Sequence, residues 1–348
     1  MKKIFLFLVF ASVVFSCKKP SEAFLIRQNE YAKNFSIEIT NNQQKVSSAG
    51  TTVYFPQDFH AERCIITGTS SSAYIDALGK INTIVGVCSS EYFYNPGIAE
   101  GIKNKTIQNV GNDAILNFEK ILALKPDIII TSHNSNYEKV LDQLSQQGIK
   151  ILYVEEYMEP HPLGKTEYLK LFGVLFQENQ KADSLYTSIK KEYLSLKEKT
   201  QNSKVKPTVF TNVMYGDSWY MAGGKSFIAT LFADAGADFL WKDNPDAGSV
   251  VLSWEEVFSK AQHADHWIGA SNFNSRNELL NVNSHYNWFD AYKQGEVYAM
   301  NRRENQLKAN DYYESGSIYA DKVLADVIKI VHPEVIPDHE WVYLKKLQ

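Results

Sequence analysis

Three features of this 348-residue sequence predict an α/β fold of two lobes joined by one long helix. Between residues 64 and 154, short and continuously apolar runs alternate with stretches of helical period. Between residues 168 and 199 the helical period continues with no strand between. After Pro207 the strand–helix alternation begins again. Composition fits two ordinary domains: 44% hydrophobic, 22% charged and 13% aromatic residues. This excludes a disordered chain, a collagen-like repeat and a disulfide-stapled miniprotein. With 36 basic and 40 acidic residues the net charge is −4. A nucleic-acid binder would usually show a basic excess, so none is expected as a partner. Beyond the first 17 residues, no apolar run approaches the roughly 20 residues of a membrane helix.

The N-terminus reads as an export signal. Lys2 and Lys3 precede an apolar run at residues 4–15, followed by Ser16 and Cys17. The segment Val14-Phe15-Ser16-Cys17 resembles a bacterial lipoprotein signal, which implies cleavage after residue 16 and acylation of Cys17. Several acyl chains would hold the protein on a membrane far better than one. Phe15 and Ser16 depart from the usual residues of that signal, and an ordinary secretion signal is the alternative. Removal of residues 1–16 takes two lysines and leaves 34 basic against 40 acidic residues. Residues 17–34 are expected to be a tether.

The remaining elements follow in order. Residues 35–39 and 51–55 alternate apolar and polar and predict an antiparallel strand pair. The first lobe, residues 35–178, then has strands at 64–67, 84–88, 127–131 and 151–154. Helices are predicted at 70–78, 116–124 and 136–147, the second ended by Lys125-Pro126 and the third by Gly148. Strands this apolar are expected to be buried on both faces of a parallel sheet. Cys64 and Cys88 fall at opposite ends of neighbouring strands, too far apart for a disulfide. Two buried free thiols are expected. Residues 179–199 form the interlobe helix. The second lobe, residues 200–348, has strands at 208–213, 266–269 and 297–300, with helices at 225–235, 254–261, within 275–293, and at 317–331.

These elements carry motifs. In the first lobe they are Asp76-Ala77-Leu78-Gly79, Ile84-Val85-Gly86-Val87, Asn117-Phe118-Glu119-Lys120-Ile121 and Leu124-Lys125-Pro126-Asp127. In the second they are Ala222-Gly223-Gly224-Lys225-Ser226, Ala235-Gly236-Ala237, Ser253-Trp254-Glu255 and His332-Pro333-Glu334. Over roughly residues 60–345 the chain resembles the helical-backbone periplasmic binding proteins of ABC importers, the class that carries iron–siderophores, haem and cobalamin. The tail Ile336-Pro337-Asp338-His339-Glu340 is similar to the Bacteroidetes subset. The resemblance implies two Rossmann-like α/β lobes joined by one long backbone helix, with a ligand cleft between the lobes. It also implies a monomer held in the periplasm by a lipid anchor, with the inner membrane favoured. The implied partners are an ABC permease dimer with its ATPase subunits, docked through one glutamate per lobe. The matching residues are Glu119 and Glu255, with Glu256 a rival. Iron-siderophore is the leading cargo; cobalamin or another corrinoid and haem are the alternatives.

Ligands of open α/β sheets bind beyond the carboxyl ends of the strands, and the loops there are rich in aromatics. Tyr92, Tyr94, Tyr157, Tyr220 and Tyr313 are candidate contacts, with Trp219 as the leading one. Arg302 and Arg303 suit an anionic chelate, with Asp311 and Glu314 able to neutralise them. His133 is the one histidine expected at the ligand. No protein-built metal site and no cofactor are expected, because the histidines lack metal-ligand spacing. Motifs of nucleophilic, phosphate-binding and zinc catalysis are missing, so a carrier is favoured over a hydrolase or a surface scavenger.

Overall fold

The computed structural model describes residues 25–40 and 42–348; the export signal, Cys17 and the start of the tether lie outside the described residues. The first lobe is built on five parallel strands: Cys64–Ile66, Ile84–Val87, Gln108–Asn109, Ile128–Thr131 and Lys150–Tyr153. Numbered along the chain, their spatial order is 5-4-1-2-3. Cys64, Ile65 and Ile66 pair with Ile128, Ile129 and Ile130 at the centre. These side chains are fully buried, because helices cover both faces of the sheet. Both cysteines are free and buried. The Cys64 sulfur lies 3.5 Å from the Thr83 hydroxyl and the Cys88 sulfur 3.2 Å from that of Tyr137.

The second lobe repeats the plan with Thr208–Phe210, Asp238–Phe239, His266–Ile268 and Val297–Ala299, all parallel and in the order 2-1-3-4. Lys345–Lys346 of the C-terminal arm adds an antiparallel edge. A smaller antiparallel sheet of Met214–Tyr215, Ser218–Ala222 and Ser249–Leu252 stands beside it. The tail is fastened by Asp326, a fully buried carboxylate that accepts the backbone N–H groups of Val342, Tyr343 and Leu344 and contacts His339.

Two antiparallel helices join the lobes. Pro162–Leu175 is buried along most of its length, its polar Thr166 and Glu167 included. The backbone helix Asn179–Thr200 buries Ala182, Tyr186, Ile189, Tyr193 and Leu196 and turns its charged residues to solvent. Its 22 residues span about 33 Å at 1.5 Å each. A Cβ at Gly173 would stand 2.6 Å from that of Ala182, so glycine sets how closely the two helices approach. Further bonds cross between the lobes: Thr166 Oγ1 to the Ile318 carbonyl (2.8 Å), Thr230 Oγ1 to the Pro160 carbonyl (2.8 Å), and Asn305 Nδ2 to the Phe93 carbonyl (3.0 Å).

The N-terminal region differs from the expected strand pair and tether. Residues 35–39 and 51–55 do not pair with each other; Gln43–Ser48 lies between them and pairs with both. Leu25–Arg27 completes a four-stranded antiparallel sheet. Residues 25–34 are therefore folded rather than a tether. The buried Glu167 carboxylate accepts the N–H groups of Glu30, Tyr31 and Ala32, and Glu159 accepts those of Lys33 and Asn34.

Two predictions follow from this packing. Gly223 and Gly224 press their backbone on the loop after Trp241: a Cβ on Gly224 would meet the Lys242 carbonyl at 2.3 Å, whereas one at Gly248 meets nothing within 4 Å. Gly224→Ala should destabilise the protein by about 2 kcal/mol or more, and Gly248→Ala by under about 0.5 kcal/mol, read from urea midpoints. His161 caps the helix Pro162–Leu175 by accepting the Leu163 N–H on Nδ1 at 3.0 Å, a role that needs a neutral ring. Burial lowers its pKa to about 4, with the Asp234 carboxylate opposing. Below about 6.5 the unfolded imidazole takes a proton that the folded one refuses until about 4. Stability should therefore fall on acidification through that window, by up to about 3 kcal/mol. His161→Asn keeps a capping side chain and should lose less between pH 7 and pH 4.5.

Candidate ligand-binding cleft

A cleft of about 430 Å³ opens between the lobes at the carboxyl ends of both parallel sheets. This is within the range of small-molecule sites. In the first lobe the strand order reverses between Cys64–Ile66 and Ile128–Thr131, where the connections leave for opposite faces. Gly68, Thr69, Ser70 and Ser71 follow the first of these strands, and Thr131 and Ser132 close the second; all line the cleft. In the second lobe the reversal lies between Thr208–Phe210 and His266–Ile268, and Thr211 and Asn212 line the cleft there. Both halves of the site thus occupy the position that doubly wound sheets offer to ligands.

The wall is hydroxyl-rich on one side, from Thr69, Ser70, Ser71, Thr131 and Ser132. It is apolar on the other, from Phe227, Ile228 and Met300, with Val154 adding to it. Ser226 caps the helix Phe227–Asp234 by accepting the Ala229 N–H, which fixes Phe227 and Ile228 at the rim. Tyr157, Tyr312 and Tyr313 supply the aromatic surface. Burial and the neighbouring Glu155 push the Tyr157 phenol up to about 12. Burial also raises Tyr312 and Tyr313. All three are neutral phenols at pH 7, suited to hydrogen bonding and stacking. Two charged groups complete the lining: Lys165, whose ammonium sits 4.1 Å from the centre of the Phe227 ring, and Glu156. Burial lowers the Lys165 pKa, and Glu156 opposes that. Among the described residues no group of three or more His, Cys, Asp or Glu could hold a metal ion.

The structure brings Tyr157 and Tyr313 to the cleft, both about half exposed. Trp219 is a correction. It is fully buried among Phe210, Trp267, Tyr286 and Phe289, and cannot touch a cleft ligand. It acts from behind: its Nε1 donates to the Thr211 carbonyl at 2.9 Å, while Trp267 Nε1 donates to that of Asn212 at 2.8 Å. The two indoles hold the backbone of the cleft wall. Six other expected contacts are not in the lining. Tyr92 is exposed outside it. Tyr94 lies under Arg303, 5.7 Å from ring centre to guanidinium. Tyr220 is half exposed on the small antiparallel sheet. Arg302 is exposed, and Arg303 is neutralised by Asp311 at 3.0 Å. His133 is one link removed: it stacks on Tyr153 and bonds Glu155 at 2.9 Å, and Glu155 accepts from the Tyr157 hydroxyl at 3.4 Å. Sequence reasoning missed Lys165 and Glu156. The available signal was a lysine in the first turn of a helix with no acidic residue three or four positions away.

Glu119 and Glu255 are both exposed, each in the first turn of a capped helix. Asn117 caps the first by accepting the Lys120 N–H. Ser253 caps the second, and there Glu256 closes a capping box by accepting the Ser253 N–H at 2.7 Å. Glu256 is occupied by its own helix, which leaves Glu255 the free carboxylate of the pair.

Residues 65–304 match the family model of the periplasmic binding protein. An uncharacterized lipoprotein of Methanocaldococcus jannaschii is 24% identical over 281 residues, covering 78% of this chain and 65% of its own length. A periplasmic heme-binding protein from Pseudomonas aeruginosa superimposes with a TM-score of 0.62 at 19% identity, over 83% of this chain and 98% of that one. An ABC-type Fe3+-hydroxamate transport system structure from Saccharomonospora viridis gives a TM-score of 0.62 at 16% identity, over 81% and 97%. With the doubly wound lobes, the spanning helix and the cleft between them, the family match over most of its length establishes that this chain belongs to the periplasmic binding proteins.

Proposed function

We propose that this protein is the substrate-binding component of an ABC importer, which takes an iron-siderophore or related metal chelate into the interlobe cleft and delivers it to a permease. The observation that carries this reading is the cleft, where the ligand positions of two doubly wound sheets face each other across an aromatic and hydroxyl-lined gap. The similar structures support the cargo class: one is described as heme-binding and one as part of an Fe3+-hydroxamate system. The lipoprotein relative supports a lipid anchor at Cys17 and a periplasmic, membrane-held location. The protein acts as a carrier without turnover. The cargo's own chelator supplies the metal ligands, while neutral tyrosines and hydroxyls hold its periphery. Glu119 and Glu255 are the free carboxylates that dock on basic groups of the two permease subunits.

The chain from Lys18 onward keeps every residue with a described place in the fold and is the form to test. Titrating it with ferric siderophores, haemin and cyanocobalamin in parallel, with intrinsic fluorescence as readout, should give saturable quenching by one class at sub-micromolar concentration. Tyr157→Ala should weaken that binding by about tenfold or more, the scale of a well-placed aromatic contact. No response to any of the three would overturn the cargo reading. Trp219→Ala is unfit as a control, since emptying so buried a site costs about 3–5 kcal/mol of stability.

Docking is tested separately in an uptake assay. Glu119→Lys with Glu255→Lys should abolish transport and leave ligand affinity unchanged, whereas Glu256→Lys should cost about 1 kcal/mol of stability through its lost capping box and spare transport. Ligand binding lost in the double variant would assign those carboxylates to the lobes rather than to the permease.

A further inference from the structure

Seven acidic side chains of the described chain are buried, and six of them are answered. Glu159 and Glu167 accept backbone N–H groups of residues 30–34. Asp234 takes Tyr193 and Lys197, and Asp311 takes Arg303. Glu314 accepts from Asn95 and Ser72, and Asp326 from the C-terminal arm. Glu156 is the exception. It is 5% exposed and lines the cleft. Among the described residues its carboxylate accepts no hydrogen bond and closes no ion pair.

Lys165 lines the same cleft and is unanswered in the same way. It is half-buried on the first turn of Pro162–Leu175, with its ammonium over the Phe227 ring and no carboxylate at ion-pair distance among the described residues. Glu156 raises the Lys165 pKa against the pull of burial, so the two charges share a field, but no contact closes between them and each keeps its hydrogen-bonding capacity free at the cavity wall. This is the arrangement expected of a site whose partner arrives from outside. Among the described residues no other charged side chain lines this cleft, and Arg303 is paired with Asp311.

We propose that Lys165 and Glu156 form a two-signed recognition subsite. The cargo presents an anionic oxygen to the Lys165 ammonium and an N–H or O–H donor to the Glu156 carboxylate. This rests on the reading that the cargo binds in the interlobe cleft. It narrows the cargo to chelates that carry negative charge and amide-type donors on their periphery, and it disfavours chelates that are neutral throughout. Charge-assisted bonds of this kind are about twice as strong as neutral ones, and a site built to make them rejects an analogue that leaves its buried groups unpaired.

The test compares two probes on the chain from Lys18 onward: an anionic ferric tris-catecholate with amide linkages and a neutral ferric tris-hydroxamate. The anionic probe should bind at least about tenfold more tightly. Lys165→Met should weaken it by about tenfold or more and erase the preference, and Glu156→Gln should weaken it several-fold. Tyr157→Ala keeps the two readings apart. If it weakens binding while Lys165→Met and Glu156→Gln do not, the subsite is overturned and the cleft stands. If all three variants leave binding untouched, the cleft reading falls and this one with it; if neither probe binds, this proposal is overturned and haemin and cyanocobalamin remain the test of the cleft. Stronger binding in Glu156→Gln would show the carboxylate repelling the cargo and would also overturn the proposal. A ligand-free readout guards against a structural role: the unfolding midpoints of Lys165→Met and Glu156→Gln should match or exceed the parent's, and a fall of several degrees in either would overturn it.

Discussion

The close approach of Pro162–Leu175 to the backbone helix Asn179–Thr200 is the contact on which the site depends. Gly173 against Ala182 sets that approach. Tyr186 and Ile189 of the backbone helix belong to the core of the first lobe, and Tyr193 and Leu196 to that of the second. One rigid rod is therefore cemented into both hydrophobic cores. A helix packed this way transmits the orientation of one lobe to the other, where a loop would let them swing. Asp234 strengthens the joint from the second lobe by accepting from Tyr193 and pairing with Lys197, both on that rod.

The joint is also guarded at its edges by buried carboxylates used as fasteners. Glu159 and Glu167 hold the N-terminal arm, and Asp326 holds the C-terminal one. A carboxylate that collects two or three backbone N–H groups offsets its desolvation and satisfies donors that a loop would otherwise leave unpaired. Three of the six answered buried carboxylates fix chain ends and the other three hold side chains and loops within the fold, which sets the carboxylate in the cleft apart.

Much of the architecture was legible in the sequence. Runs such as Ile128-Ile129-Ile130 have no polar alternation because both sheet faces are covered, and the long 3.6-residue period over the backbone helix has no competing reading. What escaped had weak local patterns. Gln43–Ser48 is mostly polar and is a strand because its two neighbours pair with it, a tertiary decision. Of the cleft, Tyr157 and Tyr313 could be found from their loops. Trp219 could not be separated from a ligand contact, because an indole propping a wall from behind sits on the same strand as one facing forward; strand alternation turns Trp219 inward and leaves Tyr220 outside. Arg303 is a candidate contact in the sequence, with Asp311 named as able to neutralise it, and Asp311, eight residues on, does pair with it.

Lys165 and Glu156 show where sequence reasoning has most to gain. A lysine without an ion-pair partner on a helix buried along most of its length is locally inconsistent, and such inconsistencies concentrate at functional sites. The neighbouring Lys170 has Glu167 within reach on the same helix; Lys165 has nothing comparable and sits where the lobes part. A helical joint is stiffer than a loop, which favours a site whose groups stand in place before the cargo arrives. On the proposed subsite, discrimination comes from charges already in position before binding, and preorganised groups of that kind cost little to use when the cargo arrives.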